Sequence, residues 1–526
     1  MVTSLNPPCD EGVIQSAPDT APVTSDLGRW VLATTILGSS LNFIDGTVVN
    51  VALPVVQTEL NATVADVQWV VEAYILFLGS LMLVGGSLGD HLGRRRIFVM
   101  GVVLFAAASA WCGFAPNLGQ LVIARAVQGV GGALLVPGSL ALISATFSDE
   151  QRGRAIGTWS GFTAITTAAG PLLGGWLVEH ASWRWIFFIN VPLALIVLGL
   201  AFWRVPESRD QEVTGRLDWW GALLVTIGLG ALVYGLIEAG TLGSSQPGIA
   251  GALVFGSLAL AAFLLVEAHS SAPMLPLGLF HSRTFSGANL LTLLLYAALG
   301  GTLFFLPFNL IQVQGYGATA AGAAFLPFIL IMFLLSRWSG GLVRRYGAKL
   351  PLVIGPVIAA VGLLLFMVPD VGGSYWVTFF PPIVVLGIGM AISVAPLTTT
   401  VMGAVASDES GLALGVNNAA SRLAPVLAIA VLEIMATQVF TSSLDSRLAE
   451  LGVPPEVQHV LDAQGSKLAA MEIPRMVSDP MRVKLKQAID ASFVKGFRLV
   501  MLIAAGLALA SALTATLLIE GKQPEN

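Results

Sequence analysis

Charged side chains are scarce in this sequence: Asp, Glu, Lys and Arg make up 11% of its 526 residues, against a hydrophobic share of 55%. Soluble domains carry about a quarter charged residues, so a mean hydropathy of +0.82 excludes that class and leaves a polytopic membrane protein. Cysteine is almost missing. Cys9 and Cys112 form neither a disulfide framework nor a thiolate metal set, and five scattered histidines add no metal site. The net charge of -5 argues against nucleic acid as a partner. No GxxxxGK[ST] loop is present, which excludes a P-loop ATP motor within the sequence. The first 28 residues lack the basic start and apolar core of a secretory signal. With Pro7, Pro8, Pro18 and Pro22 they predict a disordered cytoplasmic tail, 1–28, from which nothing is cleaved.

Long charge-free runs fill the rest. A bilayer core takes about 20 apolar residues per helix. Cutting the runs at their Pro, Gly and Asn punctuation predicts an all-α protein with fourteen transmembrane helices, near 30–56, 67–89, 96–114, 119–146, 154–178, 185–203, 217–237, 248–268, 284–312, 320–343, 350–368, 375–403, 411–439 and 492–519. With the N-terminus inside, fifteen of the 26 Lys and Arg fall on inner segments, while the short outer loops hold only Arg184. Both ends, including a second tail at 520–526, are therefore expected on the cytoplasmic side of the cell (inner or plasma) membrane. The segment 440–490 is the one soluble-looking piece. Leucines at 444, 448 and 451, then Pro454-Pro455, predict a small helical hairpin at the outer surface, either an inert connector or a lid or adaptor contact.

One internal repeat is visible. GSLGDHLGRRR at 86–96 joins spans 2 and 3, and GGLVRRYGAK at 340–349 joins spans 10 and 11, an offset of 254 residues or eight spans. Glycines there allow tight turns and close helix contact. The offset fits a six-helix bundle at 29–204, two inserted linker helices at 205–283 and a second six-helix bundle at 284–519 that carries the hairpin.

Four motifs in order resemble those of the major facilitator superfamily, specifically its fourteen-span drug:proton antiporters. NFIDGTVVNVALP at 42–54 resembles the first-helix signature. GSLGDHLGRRR resembles the loop 2–3 motif, and RAVQGVGGAL, with Arg125, Gln128, Gly129 and Gly131, the fourth-helix motif. The segment from Gly157 to Pro192 resembles the fifth-helix antiporter motif, with Gly170, Pro171, Gly174 and Gly175 in place and Thr166 where a glycine is expected. The second loop copy has Arg344 where the first has Asp90, so only the N-terminal copy is complete. The resemblance implies the major facilitator fold, two six-helix bundles plus two extra helices.

A carboxylate at bilayer depth costs at least about 2.5 kcal/mol when ionised, and desolvation disfavours that form, so a buried acid can bind and release a proton. Asp45 lies midway along span 1, and Arg125 about two turns into span 4. The resemblance carries a proton-coupling role onto both; the alternative is a fixed ion pair clamping the two helices. Glu72 in span 2 either attracts a cation, competes for the proton or snorkels to the outer surface. Glu433, Glu238 and Glu267 fall near predicted interfaces and read as ordinary interfacial acids. Asp90, Arg94 and Arg154 are read as a conformational latch at the inner face, a role the resemblance supports; for the arginines the alternative is ordinary positive-inside charge. Gly170, Pro171, Gly174 and Gly175 permit a kink and close packing in span 5.

Cavity candidates, by span and depth, are Trp159, Phe162, Tyr296, Phe304, Phe305 and Asn309, with Asn417, Asn418 and Arg422 of span 13. For any one of the aromatics, lipid-facing or interfacial packing is the competing fate. The whole reads as a proton-coupled multidrug exporter of lipophilic, cationic or neutral, compounds, or as an exporter of one endogenous metabolite, antibiotic or lipid. It needs no cofactor beyond the proton gradient. Its partners are small lipophilic substrates, protons and the bilayer, and it is expected to act as a monomer. A membrane enzyme would need a nucleophile with its base, or a metal set, and no such cluster occurs at any predicted helix end.

Overall fold

A computed structural model describes residues 26–147, 149–208, 218–242, 246–270, 273, 275–405 and 410–520, leaving aside some side chains within helices, those of Asp90 and Arg154 among them. Among the described residues every regular element is helical. In the N-terminal bundle these are α1 (Asp26–Glu59), α2 (Val64–Leu92), α3 (Arg94–Phe114), α4 (Leu118–Thr146), α5 (Asp149–His180), α6 (Trp185–Phe188) and α7 (Asn190–Arg204). The inserted pair is α8 (Trp219–Leu242) and α9 (Pro247–His269). The C-terminal bundle comprises α10 (Arg283–Phe308), α11 (Ala318–Ala323), α12 (Leu326–Gly340), α13 (Leu342–Tyr346), α14 (Lys349–Leu365), α15 (Tyr375–Thr378), α16 (Phe380–Gly403), α17 (Ser410–Glu450), α18 (Pro455–Asp462) and α19 (Asp479–Leu518).

Twelve helical stretches among the described residues are long and apolar enough to cross a bilayer. The expected span 11 falls on α14, which has only 17 residues, and the expected span 5 falls on α5. Large apolar side chains point outward, Trp220 at 70% and Leu334 at 69% exposed, while Asp45, Gln68, Glu72 and Gln128 are fully buried. That inversion of the soluble pattern is what a lipid solvent demands.

Proline sets where spans break. Span 6 is divided at Ile189, three residues before Pro192; span 10 before Leu326-Pro327; span 12 at Phe379, before Pro381-Pro382. Each proline removes a backbone donor and is tolerated in the first turn of the helix that follows. Span 9 passes Pro307 and ends in a π-turn at Asn309–Val313. The repeat is matched in backbone as well as sequence. Gly93 (φ 112) and Gly347 (φ 77) are both left-handed, and they are 254 residues apart, the offset of the two motifs.

The hairpin expected at 440–490 differs from a small appended unit. Helices α17 and α19 run for 41 and 40 residues, about 60 Å each at 1.5 Å per residue, roughly twice the hydrocarbon thickness. Their ends therefore continue past the membrane, with α18 and a 3-10 turn (Gly465–Ala470) tucked between them. This side is called the hairpin face below, and the opposite side, where α1 begins and α19 ends, the terminal face.

Within the N-terminal bundle α4 packs against α2 and α3, and α5 against α1; in the other, α14 pairs with α16, and α10 with α17 and α19. The halves meet where α5 touches α11 and α12, and where α2 touches α17, with the inserted helix α8 lying against both α2 and α17. On the hairpin face the halves are tied together. Glu179 of α5 accepts the Thr319 amide at 2.8 Å. Gln57 of α1 accepts from Gln312 at 2.9 Å and donates to the Lys467 carbonyl at 3.1 Å. Lys467 in turn donates to Asn61.

Glycines make this contact close. A Cβ at Gly170 would collide with Thr47 of α1, one at Gly174 with Val48, and one at Gly175 with the backbone carbonyl of Ala318 in the opposite half. Replacing Gly175 by Ala should cost about 1–3 kcal/mol, because the obstacle is backbone rather than a rotatable side chain. In thermal unfolding of the purified protein, Gly175→Ala is expected to lower the midpoint while Gly199→Ala, which meets nothing within 4 Å, does not. Equal midpoints would contradict this account of the interface.

Candidate functional site

The N-terminal bundle is organised around one carboxylate. Asp45 of α1 is 0% and Arg125 of α4 1% exposed, and Arg125 Nη1 lies 2.5 Å from Asp45 Oδ2. The other carboxylate oxygen, Oδ1, accepts from Gln128 Nε2 at 2.9 Å and from Asn190 Nδ2 of α7 at 3.2 Å. Arg125 also donates through Nη1 to Gln128 Oε1 at 2.8 Å and through Nε to the Val70 carbonyl of α2 at 2.9 Å. Its guanidinium lies 4.2 Å from the Tyr74 ring centroid, and Tyr74 donates to Asn42 of α1. Asn190 reaches Ser109 of α3 at 3.0 Å, whose hydroxyl donates to the Phe187 carbonyl of α6 at 2.8 Å.

Placement follows from helix geometry. Arg125 and Gln128 are three apart on α4, hence on one face. The glycines around them let the neighbours approach: a Cβ at Gly129 would meet the Tyr74 carbonyl, and one at Gly132 would sit 2.9 Å from Asn42 Oδ1. A buried ion pair loses several kcal/mol of hydration per ion and is tolerated when its remaining donors and lone pairs are filled. Here α2, α4 and α7 fill them through Val70, Gln128 and Asn190, and α3 and α6 hold Asn190 in place through Ser109 and the Phe187 carbonyl.

Sequence reasoning singled out Asp45 and Arg125. It gave Gln128 as a motif position without a role and passed over Asn190, Ser109 and Tyr74. Asn190 carried a usable signal: it is the one amide in WIFFINVPLALIV. At bilayer depth such a group needs a partner.

The other expected residues divide. Trp159 of α5 donates to Ser39 at 3.0 Å and lies edge-on to Phe43 at 6.2 Å. Arg422 of α17 places its guanidinium 6.0 Å from the Phe43 ring centroid. Trp159, Phe43 and Arg422 therefore approach one another where the halves face each other, while Tyr296 of α10 is half-buried. Phe304 and Phe305 are instead fully buried in the core, and Phe162 is 51% exposed. Asn309 accepts from Gln314 at 3.1 Å. Asn417 donates to Asn289 at 3.2 Å and Thr292 at 2.6 Å, so it joins α17 to α10 inside one bundle rather than facing the other. Asn418 is half-buried, and its carbonyl accepts from Ser421 at 2.8 Å.

Glu72 does not reach the surface as a snorkelling side chain would; it is fully buried and accepts from Gln68. Glu433, read from sequence as an interfacial acid, is 1% exposed. In the proposed latch, the side chains of Asp90 and Arg154 lie outside the described residues. The 2–3 loop that carries Asp90 and Arg94 is held by a carboxylate that sequence reasoning did not single out: Glu207 accepts the Arg95 amide at 3.0 Å and lies 3.9 Å from Arg95 Nε and 3.7 Å from Arg96 Nε. The Arg94 amide donates to the Ser208 carbonyl at 2.8 Å.

Membrane-length helices with an apolar exterior, in two bundles meeting around buried polar groups, define a multi-pass membrane protein of transporter type. The chain belongs to the Major Facilitator Superfamily, whose sequence profile matches residues 35–429. It is 31% identical over 500 residues to the tetracenomycin C resistance and export protein of Streptomyces glaucescens, covering 94% of this chain and 92% of that one. It is 36% identical over 430 residues to a puromycin resistance protein of Streptomyces alboniger, covering 81% and 84%. The multidrug resistance protein Stp of Mycobacterium tuberculosis is 35% identical over 432 residues, covering 82% and 80%. In fold it is similar to an inward-facing, unoccupied bacterial homologue of the human lysosomal transporter Spinster, with a TM-score of 0.65 at 17% identity, covering 95% of this chain and 100% of that one.

Removing one partner of the buried pair should destabilise more than removing both. Arg125→Met alone is expected to cost about 3–5 kcal/mol by stranding the Asp45 carboxylate, and Asp45→Asn/Arg125→Met distinctly less. Denaturation of the three purified proteins measures this. A double variant as unstable as the single would show that the pair contributes chiefly through packing.

Proposed function

We propose that this protein is a fourteen-span, proton-coupled exporter that moves lipophilic compounds out of the cytoplasm by alternating access, with Asp45 as the proton carrier and Arg125 as its exchange partner. The observation that carries the reading is the Asp45–Arg125 pair inside a bundle that shares its boundary with a second bundle. A guanidinium keeps its proton, so it acts by pairing and unpairing. A carboxylate paired with it holds no proton, and one parted from it in a dry site does. With the hairpin face outside and both termini in the cytoplasm, the conformation described is closed outward and corresponds to the deprotonated, cargo-accepting stage. Opening outward would part the pair, load the proton and discharge cargo.

The driving force is adequate without a nucleotide. One proton entering down about 100 mV yields roughly 2.3 kcal/mol, and a one-unit pH gradient adds about 1.4. Their combined effect supports a cargo gradient of about 500-fold. The relatives named for resistance to tetracenomycin C and puromycin support antibiotics or similar lipophiles as cargo; an exporter of one endogenous compound would use the same machinery.

Arg422 bears on cargo charge. Among the described residues it has no carboxylate within salt-bridge distance, and it sits by Phe43 at the boundary of the halves. A fixed positive charge there favours neutral over cationic cargo.

The test is reconstitution into liposomes with an imposed pH gradient. Asp45→Asn is expected to abolish gradient-driven accumulation while retaining cargo binding, measured by fluorescence quenching; accumulation at the wild-type rate would overturn the role given to Asp45. In the same vesicles Arg422→Gln should raise transport of a monocationic dye relative to a neutral analogue. An unchanged ratio would remove Arg422 from the cargo path.

A further inference from the structure

A second set of buried acids lies outside the Asp45 cage, at the triple junction of α2, α17 and the inserted helix α8. Glu72 and Glu433 are 0% and 1% exposed, and each has one carboxylate oxygen, Oε2, without a hydrogen-bond partner. Gln68, also fully buried, donates to Glu72, and its own Oε1 meets no donor. Three orphaned acceptors with no donor among them call for a bound positive species.

Geometry brings the two acids together. The helices run antiparallel, and a Cβ at Gly79 of α2 would lie 3.1 Å from Leu423 of α17. Two turns toward the hairpin face from that contact, about seven residues on each helix, Glu72 comes level with Ala430, one turn from Glu433. The surroundings are dry: Ala65, Val233, Ile237, Val426 and Ala430 form a buried apolar cluster around this seam.

The groups facing the pair are, from α2, Gln68 and Trp69; from α17, Thr437, which donates to Glu433 at 3.1 Å; and from α8, Glu238, which acts electrostatically on Glu433 and accepts from Trp69 Nε1 at 3.4 Å. Two carboxylates in one apolar seam cannot both stay ionised without a cation, and a shared proton needs no added volume.

We propose that Glu72 and Glu433 form a proton-binding carboxyl pair across the boundary between the halves, a latch that takes up a proton as the hairpin face closes and keeps it while that face stays shut. The proton comes from water on the hairpin face and forms an O–H bond on one of the orphaned oxygens, which then donates to the other carboxylate. Parting α2 from α17 breaks that hydrogen bond, wets both acids and releases the proton to the same side. The inserted helix α8 seals the seam and adds a third negative charge, Glu238, that strengthens the demand for the proton. This latch is separate from the transport reading, since it neither touches Asp45 nor requires cargo.

Infrared spectroscopy of the purified full-length protein tests it, through the carbonyl band of a protonated carboxylic acid at neutral pH. The band is expected in the wild type and in Asp45→Asn, and is expected to be lost in Glu72→Gln/Glu433→Gln, with size-exclusion profiles certifying that the variant is folded. Spin labels at the outer ends of α2 and α17 should move apart as pH rises in the wild type and hold one distance in the double variant. Glu433→Gln alone should also lose the pH response. A wild type without the band, a double variant that retains it, or equal pH responses would overturn the latch. A sodium-dependent thermal shift that the double variant lacks, without the band, would assign the site to a metal cation instead. Failure of Asp45→Asn to stop transport would leave all these outcomes untouched.

Discussion

A charge placed among lipid-facing helices has to be answered by protein, because the solvent offers nothing. In this molecule that requirement converges on Asp45, and much of the N-terminal bundle can be read as its consequence. Arg125 answers the charge, Gln128 and Asn190 fill the second oxygen, Val70 and Tyr74 engage the guanidinium, and Ser109 anchors Asn190. Desolvation consumes most of what such a pair gains, so the joined pair adds little net stability of its own. Under the proposed exchange of Asp45 between Arg125 and a proton, the same pair would serve as the bistable element of the transport cycle.

The second constraint is how closely the halves meet. Where α5 meets α11, contact is backbone against backbone: Gly175 faces the Ala318 carbonyl, and Gly322 faces the Pro171 carbonyl. Smooth surfaces of this kind interlock few side chains, so parting them disturbs few rotamers. The specific ties, Glu179 to Thr319 and Gln57 to Gln312 and Lys467, lie at the hairpin face. The long ends of α17 and α19 belong to the second bundle yet carry the turn that reaches α1, so the hairpin is tied to both halves.

How much of this was legible beforehand depended on whether a residue's signal was local. Asp45 and Arg125 stood out because charge at that depth is conspicuous in one dimension, and family motifs framed both. The Gly93–Gly347 repeat was visible for the same reason, as spacing. Polar residues without charge were harder: Asn190 serves the carboxylate and Asn417 serves its own bundle, yet both look alike in sequence. Glu207 lies 112 residues from Arg95, whose amide it accepts, and nothing local connects them. The breaks in spans 6, 10 and 12 did have local causes in Pro192, Pro327 and Pro381, which a count of apolar residues overlooks.

Composition, punctuation and periodicity determined by themselves that the chain lives in a membrane, roughly where its apolar stretches fall, that one loop motif recurs 254 residues on, and which residues are too costly at depth to be incidental. These are properties of the solvent and of short stretches of backbone, and each is written within a few tens of residues. Only the tertiary structure decided who answers whom: that Gln128 and Asn190 complete the Asp45 cage, that Trp159 and Arg422 approach Phe43 while Asn417 turns inward, and that Glu72 and Glu433 share one dry seam. Those pairings depend on the rotation and depth of helices far apart in the chain, and a shift of one residue turns a helical side chain by about 100°, so no local pattern specifies them.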